Sequence, residues 1–143
     1  MDAFDADVLI YSAIPNHPLG RRVRALFSPD PLDPQSRADG VGSVLLIPEV
    51  LSKPRREQSP EALSALRSLL SRLDLSVVDE ATAEFAAELG ASYRLRAADA
   101  VHLATAVRSG ADRFLTNNRS DFPKSISEID VTYPDELPDP RGG

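Results

Sequence analysis

The chain contains no cysteine, which excludes disulfides, thiolate metal sites and a cysteine nucleophile, and fits a reducing compartment. With only two histidines, His17 and His102, a metal ion would have to be held by oxygen donors or by these rings. Lysine is equally scarce, Lys53 and Lys124 being the only two. No apolar run reaches the length of a membrane span, and the acidic Asp2 near the start argues against a basic-then-apolar leader. The expectation is a soluble, cytoplasmic protein with no membrane partner.

Positive charge is also in deficit: 16 Lys+Arg stand against 22 Asp+Glu, for a net charge of −6. Phosphate binding by bulk electrostatics needs the opposite balance. Local basic groups remain at Arg21, Arg22 and Arg24, at Lys53, Arg55 and Arg56, at Arg94 and Arg96, and at Arg108, Arg113, Arg119 and Lys124. Each reads as a solvated helix face in preference to a contact surface.

What is present is the material of one domain: 143 residues can bury a substantial core, and a second domain does not fit. "FDADVLIYSA", residues 4–13, has the continuous apolar character of a strand buried on both faces. "LGRRVRALFS" repeats apolar residues at helical spacing, giving a first βα unit. Residues 28–42, rich in Pro, Asp and Gly, read as a surface loop. Ser43 is a candidate cap for a helix through "VLLIPEVLSK", with Glu49 near its start. Ser59 and Pro60 open the clearest helix, which runs to Leu73.

"LSVVD" reads as a short strand, with Asp79 capping the helix "EATAEFAAELGASYRL". "AADAVHLATAVRS", residues 97–109, is a helix stopped by Gly110. "DRFLT" and "IDVTY" are the last strands, and the tail "PDELPDPRGG" lacks apolar periodicity. The expected partition is a domain over 1–134 and a mobile tail over 135–143. Alternating strands and helices predict an α/β fold with a central parallel sheet flanked by helices.

Four acids stand out. Asp5 sits beside the first apolar run, Glu49 between "LLIP" and "VLS", and Asp99 among small and apolar helix residues, where an unpaired carboxylate is costly. Asp121 follows the strand "RFLT" in a loop. Gathered together, such acids would repel one another without a hard cation such as Mg²⁺, or alternatively Mn²⁺, which orients a phosphodiester and activates water. Taken singly, each also serves as a cap, a dipole partner or a salt-bridge acid.

With these positions in place, the chain resembles a PIN domain, and more narrowly the VapC-type ribonuclease toxins of toxin–antitoxin pairs. "FDADVLIY", "SVLLIPEVLS", "AADAVHLATAV" and "FLTNNRSDF" carry the resemblance, in family order from about residue 4 to residue 133. The resemblance implies a catalytic set of Asp5, Glu49, Asp99 and Asp121, with Asp5, Glu49 and Asp99 as the metal ligands. Asp7, Thr116 and Asn118 become supporting residues. Many members carry an aspartate where this chain has Asn118, and Asp121 is the nearest remaining acid. His102, one helical turn after Asp99, is read as a core residue near the site rather than a catalytic one. His17 carries no signal.

The same resemblance implies a Mg²⁺-dependent endoribonuclease leaving 3′-hydroxyl and 5′-phosphate ends on a structured RNA such as tRNA or rRNA. It also implies a VapB-like antitoxin and a homodimer. Two other readings compete. "DADV" fits the aspartate nucleophile of a haloacid-dehalogenase-type phosphotransferase, which also needs a suitably placed lysine. A PIN-fold binding module without turnover fits the missing fourth aspartate.

Overall fold

The computed structural model describes residues 1–28 and 38–141. Five short strands form one wholly parallel sheet in the order β3-β2-β1-β4-β5, where β1 is Asp2–Phe4, β2 Gly40–Ser43, β3 Leu73–Ser76, β4 Arg113–Leu115 and β5 Asp130–Thr132. Helices α1 (Ala6–Ser12), α2 (Pro18–Arg24), α3 (Leu46–Arg56), α4 (Pro60–Ser71), α5 (Glu80–Tyr93) and α6 (Ala97–Arg108) cover its faces. The protein is therefore the α/β fold expected from the alternation.

Alternation along each strand sends neighbours to opposite cores. Ala3 and Phe114 join α5 and α6 in one cluster, with Leu103 and Ala104 fully buried. Phe4 and Leu115 join α1, α3 and α4 in the other, around Val8, Leu9, Leu46 and Val50. Strand order reverses at β1, whose two neighbours are β2 and β4. The carboxyl ends of β1 and β4 thus flank the crevice where open α/β sheets collect ligands.

Several boundaries differ from the sequence reading. The first strand is only Asp2–Phe4, and the apolar run "DVLIY" belongs to α1. A continuous apolar run suits a helix buried against a sheet as well as a strand, and Asp5, in extended conformation, ends one and caps the other. Part of the stretch read as a loop is β2, a buried central strand of sequence GVGS. Its glycines answer to packing: a Cβ on Gly40 would lie 2.4 Å from the Phe4 ring. Residues 29–37 of that loop lie outside the described residues.

Ser43 ends β2 rather than capping the next helix, its Oγ accepting from the Leu45 amide at 3.1 Å. Because α3 starts at Leu46, Pro48 falls in the first turn, where a missing N–H costs nothing. The third strand lies two residues earlier than read, at Leu73–Ser76. The caps at Ser59 and Asp79 form, accepting from Ala62 and Thr82 respectively.

Helix α2 is seated directly on the end of α1. A Cβ at Gly20 would stand 2.0 Å from the Tyr11 carbonyl oxygen. His17 starts α2 by accepting from the Leu19 and Gly20 amides at Nδ1, and its ring stacks on Tyr11 at 4.7 Å. Composition suggests a mobile tail after Tyr133; its described residues, up to Arg141, make contacts with the body. Leu137 is buried, Arg21 holds Asp139 at 3.1 Å, and Arg22 donates to the Leu137 carbonyl at 2.8 Å. Among the described residues, no helix is long and apolar enough to cross a membrane.

Candidate metal centre

Asp5 occupies the step from β1 to α1. Its Oδ1 accepts from the Ala6 amide and its Oδ2 from the Thr116 hydroxyl, both at 2.8 Å. Asp5 is 6% exposed and Thr116 fully buried at the end of β4, so two adjacent parallel strands fix this carboxylate. Burial raises the Asp5 pKa above the ordinary carboxylate value, against the opposing Thr116 hydrogen bond and the His102 charge.

Asp7 follows in the first turn of α1, where its Oδ2 accepts from the Asn117 amide at 2.9 Å. Its Oδ1 is buried with no protein partner. Burial, then the Asp5 charge, pushes Asp7 up to about 7. Two carboxyls two residues apart are thus both driven toward the neutral form, as expected where a cation's charge would be welcome.

Glu49 reaches the same place from the first turn of α3. Its Oε2 lies 3.0 Å from His102 Nε2, and its side chain is 32% exposed, so it faces the crevice mouth. His102 and Asp99 come from α6, one turn apart. Asp99 is half-buried, and its pKa is raised first by burial and then by the charges of Asp5, Asp121 and Glu49. His102 is buried; desolvation lowers its pKa, but the Glu49 hydrogen bond and the Glu49, Asp5 and Asp99 charges outweigh it and leave a net rise.

The loop after β4 completes the group. Thr116 Oγ1, besides donating to Asp5, accepts from the Asn118 amide at 3.1 Å. Asn118 turns back on its own loop: its Nδ2 donates to Asp121 Oδ2 at 2.8 Å, and its Oδ1 accepts from the Ser120 hydroxyl and the Asp121 amide. The Asp121 charge is felt at Asp99, while the Asn118 carbonyl is occupied.

Acids from four separate elements therefore share one electrostatic environment at the switch point of the sheet. Asp5, Glu49 and His102 each bring one ligand atom to within 4.8 Å of the others. A hard divalent cation fits this donor set: oxygens dominate, the acids repel one another, and Asp7 Oδ1 is buried without a partner. Asp99, expected as a metal ligand, is not in that group of three; it lies one turn before His102 on α6, and His102 Nε2 meets Glu49 Oε2 at 3.0 Å.

His102 is the residue that sequence reasoning left outside the site. Its spacing of one turn from Asp99 was the available signal. Both lysines are engaged elsewhere, Lys53 near Glu57 and Lys124 on Glu136, so neither offers the lysine that phosphotransferase chemistry needs.

The PIN domain family matches residues 3–124, a span that holds Asp5, Asp7, Glu49, Asp99, His102, Thr116 and Asp121. No curated protein matches the chain. Among solved structures, a chain described as "Toxin-antitoxin complex from Klebsiella pneumoniae" shares the fold with a TM-score of 0.69 at 22% identity, covering 94% of this chain and 98% of that one. Since the family match takes in most of the sequence and, Asp2 aside, every strand except the last, the chain belongs to the PIN domain family.

Proposed function

We propose that the protein is a divalent-metal-dependent endoribonuclease, with Mg²⁺ as the ion and Mn²⁺ able to replace it, and that it acts as the toxin of a type II toxin–antitoxin pair in the cytoplasm. The observation that carries this reading is the approach of Asp5, Glu49 and His102 from three separate elements, with Asp99 one turn before His102, at one crevice where burial raises the pKa of Asp5 and Asp99. When bound there, a divalent ion supplies charge stabilisation at an attacked phosphodiester and makes water more acidic. Asp5, held rigid by Thr116 and the Ala6 amide, anchors it. Glu49 from α3 and Asp99 from α6 would add two further oxygens. His102, with a proton on Nε2, holds the Glu49 carboxylate in place.

Asp121 supplies the fourth acid at the substrate side, where Asn118 fixes its orientation. Asp7, through the Asn117 amide, keeps the loop after β4 in register with α1. Family membership supports phosphodiester hydrolysis leaving 3′-hydroxyl and 5′-phosphate ends. The likeness to a chain from a toxin–antitoxin complex supports an antitoxin, taken here as VapB-like, as partner; the homodimer rests on the resemblance to VapC-type toxins alone. A chain of net charge −6 suits a substrate recognised by folded RNA shape, such as tRNA or rRNA, better than one held by charge alone.

The test is cleavage of purified tRNA and rRNA by the full chain with Mg²⁺ and with chelator. Metal-dependent cuts in the parent, lost in Asp99→Asn, are the expected result. Retained RNA affinity without turnover in the parent would favour the binding-module reading, which the Asn118 position suggests.

A further inference from the structure

The loop that carries Asn118 and Asp121 also carries two cations, Arg119 and Lys124. Both point to the segment that follows β5. Arg119 Nη2 meets Asp135 Oδ2 at 2.5 Å, and Lys124 Nζ meets Glu136 at 2.6 Å. The two cations lie over the Tyr133 ring, at 4.3 and 4.8 Å from its centre. A pair of cations on an aromatic ring, beside a crevice lined with acids, is built like a contact for a polynucleotide backbone. In this chain it is covered by carboxylates of the same polypeptide.

These pairs are not what holds the segment in place. Tyr133 donates its hydroxyl to the Phe122 carbonyl at 2.8 Å, Lys124 donates to the Val131 carbonyl at 2.6 Å, Leu137 is buried, and Arg21 holds Asp139. The four side chains of the two pairs are 41% to 52% exposed, the range in which ion pairs contribute little stability and a phosphate can displace a carboxylate. Their acids therefore cost the protein positive potential, and beyond the ion pairs only Glu136 has a structural role, accepting from the Tyr133 amide.

We infer that Arg119 and Lys124 form a phosphate-backbone contact for single-stranded RNA at the edge of the metal centre, and that Asp135 and Glu136 mask it, holding RNA affinity down until the strand displaces them. The inference rests on the nuclease reading for its biological meaning, but its test is binding rather than cleavage. A strand arriving at the pair must free two carboxylates, which then gather counterions. That recapture offsets the counterions released from the phosphates, so the masked protein shows a shallow salt dependence.

The experiment measures fluorescence anisotropy of a 5′-labelled oligouridylate with the full-length chain in chelator, where cleavage cannot intervene. Asp135→Asn with Glu136→Gln is expected to bind about fivefold more tightly at low salt, with a log–log salt slope steeper by about one. The glutamine keeps an oxygen for the Tyr133 amide that Glu136 caps at 2.9 Å, and an unchanged melting temperature checks the fold. Adding Arg119→Gln and Lys124→Gln to that variant should return affinity and slope to the parent values or below. Equal binding by parent and unmasked variant, no binding by either, no loss when the cations go, or preference for polyglutamate over the oligouridylate would overturn the inference. Failure of the nuclease reading shows separately, as absence of metal-dependent cleavage in the parent.

Discussion

Two groups of acids in this molecule face opposite situations. Asp5, Asp7 and Asp99 converge with Glu49 in a crevice, and all three have their pKa raised first by burial and then by neighbouring carboxylates, Glu49 for Asp5, Asp5 and Asp99 for Asp7, and Asp5, Asp121 and Glu49 for Asp99. Glu136 and Asp139 lie on the surface segment after β5, and hydrogen bonds from Lys124 and Arg21 hold theirs down. The chemical groups are the same; the difference is whether the protein supplies the cation. At the segment it does, with lysine and arginine. In the crevice it supplies His102 and a few hydrogen-bond donors, too little positive charge for the acids gathered there. A carboxylate cluster left short of cations is an arrangement suited to an ion from outside.

The comparison is broken most directly at Asp5. Asp5→Asn keeps an oxygen to accept from Ala6 while removing the charge, and RNA cleavage should fall by at least about a hundredfold in a gel-based assay with Mg²⁺. Thr116→Val removes the hydroxyl that fixes Asp5 without touching a carboxylate. Mn²⁺ affinity measured by calorimetry should weaken about tenfold, with the fold retained.

Stability against pH sharpens the contrast. Groups whose folded pKa is raised favour the native state most below their unfolded pKa, and that advantage is lost as pH rises through the folded value. For Asp7 the window runs from about 4, the unfolded value, to about 7, and the raised Asp5, Asp99 and His102 act in the same direction. The metal-free protein should therefore lose stability in urea titrations as pH rises across this range, and Mg²⁺ should restore it. Asp7→Asn should flatten the slope and stabilise the metal-free protein at neutral pH by about 1 kcal/mol, its amide oxygen still accepting from Asn117.

The smallest effect belongs to the surface group. The lowered Asp139 stabilises above its unfolded pKa and stops doing so as pH falls. Asp139→Asn should lower Tm by at most about 3 °C at neutral pH, should make no difference under strong acid, and should leave cleavage unchanged. A larger loss there would mean that the segment supports the crevice as well as the surface.

The alternation of strands and helices was legible, and the parallel α/β sheet follows it. Glu49 and Asp99 stand out in the sequence because apolar neighbours make a carboxylate costly, and both lie in the first turn of a helix. The sequence reading failed at the sheet's centre. Strands of three and four residues, with glycines in β2 chosen for the Phe4 and Leu46 side chains beside them, leave no periodic signature to detect. The run "DVLIY" was ambiguous for the same reason, and only tertiary packing makes it a helix. His102 was undervalued because its partner, Glu49, is 53 residues away. Long-range pairing is the information that a linear pattern does not carry.

Position 20 has a consequence for anyone cataloguing tolerated substitutions. With the Tyr11 oxygen only 2.0 Å from where a methyl would sit, any side chain there would force two helices apart. Asp5 would be just as intolerant in such a catalogue, for a reason rooted in charge instead of volume. Intolerance alone would thus place a packing point of the scaffold beside the candidate metal centre, and only a readout that separates soluble yield from metal binding would tell them apart.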